Sequence, residues 1–480
     1  MPKRSPAPLA LALCALCACV RNPVTGRLEL NLLSRQQEID LGQQGKKEVE
    51  ATIGVYQDAR LGEYVASVGK QIAAVTKTDY PFSYEIADDS SVNAFALPGG
   101  PVFITRGILA HMTTEGEMAA VLGHESGHVV ARHSASQISK QQMAQLGLGI
   151  GSILSPTAAS LAQAAGVGLQ VLFLKYSRDD ETQADELGFR FMTKAGWDPH
   201  QMIPLFHMLD NLTAQSGGGK TPDWLETHPN PGNRIEATQE RLKTELKGDL
   251  STLKVERDKY CAMIDGIVFG EDPRKGYFKG DLFLEPELKF QMQFPQGWQH
   301  QNTPQAVAAI SKDQDAVIQL AVAGKMSPEE AARHFFAQQG VKQGQAAQGT
   351  IHQKSAVSAY FTAQTQQGAV EGLATFLGHE GTTYAIFGYA AAGKLQGYDA
   401  TFKSSMGSFA TLSDPAALNV QPAKLKVAHI DSPMSVTDFN NKYPSSVKIE
   451  VVALINGVDK GGTIPAGPAK QVVGGIPPSK

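Results

Sequence analysis

The first half of the chain places apolar residues at helical spacing. From Ser34 to Val75 polar and apolar positions alternate with the period of an α-helix, and Ser34 precedes Gln37 at capping-box spacing. A second helical run extends from about residue 115 to residue 133 and is apolar around most of its surface, which predicts a buried helix. Between these runs, residues 84–87 read as a strand.

The second half of the chain has a different pattern of apolar and polar residues, typical of strands and turns. Residues 276–410 contain short apolar runs separated by turn residues, with one helix at 328–339 that Ser327 and Glu330 can cap. The last segment reads as strand, helix, helix and strand. The pattern predicts a multidomain α+β protein, with a mostly helical first domain carrying a small sheet, an α+β domain, and a small βααβ domain. The predicted domain boundaries are 27–255, 262–412 and 420–474.

Candidate metal-binding chemistry lies inside the predicted buried helix. His124 and His128 are four residues apart, so both imidazoles lie on one helix face and can bind one metal ion. Glu125 is one position further round and can reach a water on that metal. Two histidines and a glutamate are costly to bury unless they are paired or bound to metal. The motif therefore predicts zinc-assisted hydrolysis of peptide bonds.

A catalytic zinc site needs a third protein ligand. The metzincin solution fails, because Ser134 and Ala131 occupy the places of its third histidine and its glycine; His133 is interpreted as a helix-end histidine. A later helix that begins near residue 178 supplies Glu181, the predicted third ligand. Asp185 lies four residues on, on the same face, and is predicted to accept a hydrogen bond from a ligating histidine.

The ordered motifs resemble a known family. The segments His124–His128, 177–185, 93–107 and 227–234 resemble the gluzincin metallopeptidase family that contains the CAAX prenyl proteases, HtpX, BepA and LoiP. The resemblance covers roughly residues 36–246. It implies a zincin-type domain that holds one Zn²⁺ and cleaves polypeptides.

The resemblance also implies roles for single residues. Glu125 is expected to take a proton from the attacking water and to pass it to the leaving amine. His228 and Arg234 are the candidates to stabilise the oxyanion. In BepA-like relatives a histidine at the place of His228 can instead occupy the open zinc position and hold the enzyme latent. Alternatively, His228 is a structural loop residue, and Arg234 simply pairs with a carboxylate.

Substrate binding at such sites uses strand addition. An extended peptide pairs with the edge of a sheet, and a proline- and glycine-rich segment at 98–101 ends the candidate strand. Hydrogen bonds to the peptide backbone depend little on the side chains of the substrate, so the cleavage preference should be broad. The alternative is an ordinary edge strand that binds no ligand. The predicted substrate-binding residues are Asn93, Ala94, Phe95 and Ala96.

The start of the chain predicts export. Lys3 and Arg4 precede a short apolar run, which is too short to span a membrane, and residues 16–19 resemble the lipobox of bacterial lipoproteins. Cleavage of a signal peptide at 1–18 would leave Cys19 as a lipidated first residue. The expected location is the periplasm, anchored by lipid, most simply at the outer membrane. The alternative is a plain secretory signal.

The net charge limits the possible binding partners, and the cysteine content limits the possible disulfides. The chain of 480 residues has a net charge of −4, which becomes two units more negative if Lys3 and Arg4 are removed. This balance argues against nucleic acid as a partner. Once the signal is removed and Cys19 is lipidated, Cys261 stands alone, so no intramolecular disulfide is expected.

Two further segments have recognisable patterns, one between the helices of the metal site and one near the C-terminus. Residues 146–174 are rich in small and apolar residues but contain no run of the ~20 apolar residues that a membrane span needs, so they are interpreted as two short helices forming a lid. Residues 425–473 resemble a LysM repeat, although Ser432-Pro433-Met434 replaces its usual Gly-Asp-Thr. This module would bind peptidoglycan or serve as a structural or docking module.

Two classes of function compete. The first is a zinc endopeptidase of the bacterial envelope that cleaves misfolded or stalled proteins. The second is a largely latent protease that acts as a periplasmic chaperone or as a peptidoglycan-tethered binding protein. The complete set of His124, Glu125, His128 and Glu181 favours the first class, because a binding protein does not need it.

Overall fold

The computed structural model divides into two compact units. The first consists of Met1–Glu271 with Ala423–Val473, and the second of Asp272–Pro422 with Gly474–Lys480. The predicted signal peptide at 1–18 and the predicted lid at 146–174 lie outside the described residues. The structure describes residues 19–21, 26, 28–145, 175–215, 223–230, 232–247, 250–303, 305–365 and 368–476.

The first unit is mostly helical, as expected. Its helices up to residue 271 are α1 (Arg35–Thr52), α2 (Ala59–Val75), α3 (Arg106–His111), α4 (Glu115–Val130), α5 (His133–Gln145), α6 (Arg178–Lys194), α7 (Met202–Gln215), α8 (Asp223–Thr227), α9 (Arg234–Thr244) and α10 (Arg257–Ile264). Its strands there are β1 (Cys19–Arg21), β2 (Leu28–Leu30), β3 (Ser83–Ala87), β4 (Ala94–Ala96) and β5 (Pro101–Thr105).

Side-chain caps fix where the central helices begin. The Thr114 hydroxyl accepts a hydrogen bond from the backbone N–H of Glu117 at the start of α4, a contact that typically contributes about 1 kcal/mol. The reciprocal hydrogen bond of a capping box, from the Thr114 backbone N–H to the Glu117 carboxylate, is not formed. The Glu117 carboxylate accepts hydrogen bonds from the backbone N–H and the hydroxyl of Thr113 instead. At the start of α6 the capping box between Ser177 and Asp180 is complete.

Helix α4 is shorter than its sequence predicts. The continuous run to residue 133 is wrong, because α4 ends at Val130 and Arg132 adopts a left-handed φ of 60°. The Arg132 guanidinium is held there by buried Glu38 and by the carbonyl oxygen of Leu33. A new helix, α5, then begins at His133 and changes the direction of the chain.

A small three-stranded sheet packs beside α4. The order is β3-β5-β4, with β3 parallel and β4 antiparallel to the central β5. Every residue of β5 is buried, whereas β4 lies at the edge, as the sequence predicted. Strand β4 also contacts α4, so the edge runs beside the helix that carries His124 and His128.

The C-terminal segment of the first unit has the predicted order of strand, helix, helix and strand. Its elements are β17 (Ala423–Ile430), β18 (Met434–Ser435), α14 (Val436–Lys442), α15 (Ile449–Ile455), β19 (Thr463–Ile464) and β20 (Gly467–Gly474), with β17 paired to β20. Lys470 of β20 is buried, and its ammonium group donates to the carbonyl oxygens of Ala110, His111 and Met112 at the end of α3. Its identity as a LysM repeat stays a prediction.

The second unit is built on a long antiparallel sheet. Its elements are β6 (Tyr277–Lys279), β7 (Leu282–Glu285), β8 (Phe290–Gln293), β9 (Gln299–Asn302), β10 (Ala306–Ile310), β11 (Ala316–Gly324), α11 (Pro328–Phe336), β12 (Val341–Ile351), β13 (Lys354–Thr365), β14 (Gly368–His379), β15 (Thr382–Ala391), α12 (Leu395–Gly407), β16 (Ala410–Thr411) and α13 (Pro415–Leu418). The main sheet has the order β12-β13-β14-β15-β11-β10-β9. The predicted cap of α11 is present, with Ser327 and Glu330 forming a complete capping box.

Two smaller expectations concern the membrane and the cysteines. Within the described part of the chain, no helix has the length and apolar character that a membrane crossing requires. Cys261 is a buried free thiol, and burial raises its pKa.

Candidate metal centre

Helices α4 and α6 cross with almost no side chain between them. A Cβ atom added to Gly188 would lie 2.9 Å from the backbone nitrogen of His124, and one added to Gly123 would lie 3.1 Å from the carbonyl oxygen of Gly188. Both positions therefore favour glycine. The close crossing brings the face of α4 that carries His124 and His128 against the face of α6 that carries Glu181.

Four buried side chains converge at this crossing. The candidate ligand atoms of His124, His128, Glu181 and His228 all lie within 4.8 Å of one another. The Nε2 atoms of His124 and His128 are 3.0 Å apart, and Glu181 Oε1 lies 3.4 Å from His128 Nε2. His228 follows α8 and places its Nδ1 atom 3.0 Å from the same carboxylate oxygen. The structure thus brings together the three predicted ligands and adds His228 as a fourth.

Several buried polar atoms here have no hydrogen-bond partner among the described residues. They are both carboxylate oxygens of Glu125, Oε2 of Glu181 and Nε2 of His228. A buried group left in this state costs about 1–3 kcal/mol, so such groups are normally satisfied by protein, water or an ion. Imidazole nitrogens with a carboxylate oxygen are ligands that zinc prefers. The residues present therefore fit one zinc ion.

Glu125 is placed for acid–base chemistry beside this cluster. Its side chain is fully buried, and its Oε1 atom lies 3.7 Å from Nε2 of His228. Burial raises the pKa of the Glu125 carboxyl above its usual value. A carboxylate with a raised pKa holds a proton more readily, which suits a group that accepts a proton and then donates it.

Asp185 holds the first histidine, as predicted. Its Oδ1 atom accepts a hydrogen bond from Nδ1 of His124 at 2.9 Å, which leaves Nε2 of that ring facing the cluster. Arg234 donates to both oxygens of Asp185, at 2.8 and 2.5 Å. The oxyanion role expected for Arg234 has no support in this geometry, because the guanidinium is committed to the carboxylate; pairing with a carboxylate was the alternative.

Aromatic side chains enclose the cluster. Trp224 stacks on His228 with ring centroids 4.3 Å apart, and Tyr176 stacks on His128 at 4.0 Å. The Tyr176 hydroxyl is 2.8 Å from the Ser134 hydroxyl. Sequence reasoning missed both rings, since neither lies at a spacing that local periodicity connects to the motif. They exclude water and restrict the rotation of the two imidazoles.

The two predicted histidine ligands, His124 and His128, have different affinities for protons. Burial disfavours a charged His124, yet the hydrogen bonds to Asp185 and Glu181 raise the pKa of its imidazole to about 9. Burial lowers the pKa of His128 well below its usual value. Burial also acts to raise the pKa of Glu181, but the adjacent His228 and the histidine hydrogen bonds lower it well below the usual range. The metal-free site therefore carries a proton on His124 at neutral pH.

This arrangement predicts that zinc binding releases a proton. His124 must be neutral to donate its lone pair, so protons compete with zinc at every pH below about 9. We expect zinc affinity to rise about tenfold per pH unit between pH 7 and pH 8 and to level off above pH 9. Competition titration with a chromophoric chelator measures this slope. An affinity that does not change between pH 7 and pH 8 would contradict a protonated His124.

The predicted substrate-binding residues lie along the sheet edge. Ala94 and Ala96 are buried, Asn93 and Phe95 are half-buried, and Phe95 stacks against Phe103 of the central strand at 5.3 Å. The edge position of β4 is confirmed. Its use for binding peptides stays a prediction.

A buried HExxH helix, a glutamate from a later helix and an adjacent general base define a zinc-metallopeptidase site. Residues 58–242 match the family model of peptidase family M48. This match includes all four residues of the metal cluster, and it agrees with the resemblance seen in the motifs.

Curated relatives match somewhat less than half of the chain. The mitochondrial metalloendopeptidase OMA1 of Schizosaccharomyces pombe is 34% identical over 230 residues, which cover 46% of this chain and 65% of that protein. The beta-barrel assembly-enhancing protease of Yersinia pestis is 31% identical over 220 residues, covering 44% of each chain. The chain thus spans between 44% and 65% of the length of these relatives.

Among solved structures, cyanobacterial PsbP from Synechocystis is 11% identical, with a TM-score of 0.24. The alignment covers 28% of this chain and 94% of that one. A similarity at this level assigns neither fold nor function to any part of the chain.

Proposed function

We propose that the protein is a zinc-dependent endopeptidase of the bacterial cell envelope that cleaves misfolded or stalled proteins. The observation that carries this proposal is the buried Glu125 carboxylate, which has no hydrogen-bond partner among the described residues and lies beside a four-residue metal cluster. A buried carboxylate without a hydrogen-bond partner requires an explanation, and a role in the reaction supplies one. The curated relatives support the class, since they are named as metalloendopeptidases or proteases.

The side chains divide the chemistry between them. His124, His128 and Glu181 would hold one zinc ion, which would supply a Lewis acid for the scissile carbonyl. Glu125 accepts a proton from the attacking water and donates it to the departing amine, so that the carboxylate is regenerated. Asp185 keeps His124 oriented through its Nδ1 atom, and the Trp224 and Tyr176 rings keep bulk water away from the polar groups.

The substrate is an extended polypeptide segment. Strand β4 offers an edge beside α4, and pairing with residues 93–96 would align the backbone of a peptide along the metal cluster. Recognition through backbone hydrogen bonds requires an unfolded or locally unfolded segment, which favours misfolded or stalled proteins as substrates. Hydrolysis of casein, an unfolded substrate, by wild-type protein and by the Glu125→Gln variant tests the proposal. Equal rates for the two proteins would overturn it.

The proposed location rests on the N-terminal motif. Cleavage before Cys19 and lipidation of that residue would anchor the protein in the outer membrane, facing the periplasm. The name of the Yersinia pestis relative, which refers to β-barrel assembly, agrees with an envelope location. Mass spectrometry of the mature N-terminus tests this part: an unmodified N-terminus in wild-type protein would exclude the anchor.

The C-terminal segment of the first unit is proposed as a LysM-like module that contacts peptidoglycan. Its order of strand, helix, helix and strand supports this assignment. Co-sedimentation with purified peptidoglycan tests it, and a protein that stays in the supernatant would leave a structural or docking role for the segment.

A second candidate function is a largely latent protease that acts as a chaperone or a tethered binding protein. The observation in its favour is the position of His228, whose Nδ1 atom lies 3.0 Å from Glu181 Oε1 and 3.4 Å from His124 Nε2. A fourth protein ligand at this place would close the coordination position that a catalytic site keeps open. The same ring could instead stabilise the oxyanion once substrate is bound.

The His228→Ala variant separates these roles. If His228 acts as a latch, we expect the variant to keep one zinc per chain and to hydrolyse casein roughly 10-fold faster or more, because the closed position is freed. A fall in activity with zinc retained would identify His228 as a stabiliser of the transition state. His207, an exposed residue of α7, provides a control in the His207→Ala variant, which should leave the rate unchanged.

A further inference from the structure

His133 contacts a metal-binding histidine although no helical spacing connects the two residues. The left-handed backbone of Arg132 turns the chain, and the new helix begins with His133. The fully buried His133 ring thereby returns to His128, with ring centroids 5.0 Å apart and 2.9 Å between the two Nδ1 atoms. The sequence indicated that His133 is a helix-end residue, and it is the first residue of α5; the contact of its ring with His128 was not predicted.

The protons of this contact can be assigned. Nε2 of His128 faces the cluster, 3.4 Å from Glu181 Oε1. A neutral imidazole that offers the Nε2 lone pair to a metal carries its proton on Nδ1. Since the two Nδ1 atoms are within hydrogen-bond distance, His128 must donate and His133 must accept. The proton of the neutral His133 ring then lies on its Nε2 atom.

That second proton also has an acceptor. Nε2 of His133 lies 2.8 Å from Oε1 of Gln183, which is on the same helix as Glu181. The other polar group facing this nitrogen is the Asp180 carboxylate, at 3.7 Å. The chain of hydrogen bonds from His128 through His133 to Gln183 is therefore complete, with one acceptor for each donor. It links α4, α5 and α6 around the cluster.

His124 and His128 thus form hydrogen bonds with different groups through the ring nitrogens that face away from the cluster. His124 donates to the Asp185 carboxylate, which Arg234 neutralises. His128 donates to a neutral ring. Hydrogen bonds of this kind fix the orientation of a ligand and the nitrogen that it offers, and losing one typically costs about 10–100-fold in metal affinity.

We propose that His133 and Gln183 are positioning residues that hold His128 in the tautomer and orientation required for metal binding. The inference rests on the proposed metallopeptidase function, because it assumes that His128 is a zinc ligand. It concerns affinity and ligand geometry, which are measured without any peptide substrate.

Two substitutions at the same site test the proposal. In the His133→Asn variant the side-chain oxygen lies near the place of Nδ1 and can still accept from His128, whereas the His133→Leu variant has no acceptor. We expect the leucine variant to bind zinc about 10–100-fold more weakly and the asparagine variant to stay within a few-fold of wild type. Gln183→Met, which removes the second acceptor, should show a smaller loss in the same direction.

A spectroscopic measurement separates positioning from general destabilisation. Cobalt(II) bound in place of zinc reports ligand geometry through its visible absorption, which we expect to change in His133→Leu and to return in His133→Asn. The matched control is His111→Leu. His111 is a buried histidine of α3 whose Nδ1 atom contacts the Gly107 carbonyl oxygen at 2.7 Å, away from the cluster. This variant should lower thermal stability and leave zinc affinity and the cobalt spectrum unchanged.

The outcomes are distinct. Wild-type zinc affinity in His133→Leu, or equal losses in the asparagine and leucine variants, would overturn the positioning role. An equal loss of affinity in the His111→Leu control would also overturn it, because the effect would then reflect stability alone. If the wild-type protein bound zinc but did not hydrolyse casein, the proposed endopeptidase function would be wrong. The zinc affinities of the His133 variants would still test the positioning role. A wild-type protein that binds no zinc would overturn both.

Discussion

Replacing Glu125 with glutamine is expected to lower kcat/KM for casein about 10²–10⁴-fold without loss of zinc. Glutamine has nearly the same shape as glutamate, but its amide cannot accept a proton from water. Glu125 is fully buried and forms no hydrogen bond with the described residues, so the substitution removes no hydrogen bond that the structure records. The measurement is casein hydrolysis at saturating and limiting substrate, with metal content determined on the same samples.

The control for this substitution is a second buried carboxylate on the same helix. Glu117 accepts hydrogen bonds from the backbone and hydroxyl of Thr113 and lies outside the metal cluster. Glu117→Gln should lower thermal stability and leave kcat/KM within a few-fold of wild type. If the two variants lost activity equally, the loss would come from disturbance of α4 and Glu125 would have no role as a base.

The Glu181→Ala variant is expected to lose zinc and activity together. Glu181 is the only carboxylate among the four ligand candidates, and its oxygens lie 3.5, 3.4 and 3.0 Å from nitrogens of His124, His128 and His228. Its removal leaves three buried imidazoles without the negative charge that offsets the metal. We expect zinc affinity to fall by more than about 100-fold, the upper end of the loss seen for outer hydrogen-bond partners.

An exposed acidic residue in the same turn gives the matched control. Asp179 is exposed in the first turn of α6, two residues before Glu181. Asp179→Ala should keep one zinc per chain and wild-type casein hydrolysis. The ligand assignment would be contradicted if Glu181→Ala bound zinc as tightly as this control.

Short-range features of the site were predictable from sequence because helices fix them. The four-residue spacing of His124 and His128, and that of Glu181 and Asp185, places each pair on one helix face whatever surrounds it. The Thr114 cap depends on equally local geometry. These features required only that the two helices form. The M48 match and the buried cluster agree with them.

Features that depend on distant contacts were not predictable. The break at Arg132 is held by Glu38, which is far away in sequence, and periodicity alone continues the helix to His133. The Trp224 and Tyr176 rings reach the cluster through the tertiary fold.

The C-terminal segment shows the same limit. Lys470 reads as an ordinary strand residue of a small module, yet it is buried against three carbonyl oxygens at the end of α3, and burial lowers its pKa to about 8. No local pattern predicts that a lysine near the C-terminus contacts a helix some 360 residues earlier in the chain.

The central claim is that one zinc ion is held by His124, His128 and Glu181 beside a catalytic Glu125. The most direct measurement is the metal content of purified mature protein, determined together with casein hydrolysis for wild type and Glu125→Gln. We expect one zinc per chain in both proteins and hydrolysis in the wild type alone. Protein that binds no zinc, or a Glu125→Gln variant as active as wild type, would contradict it.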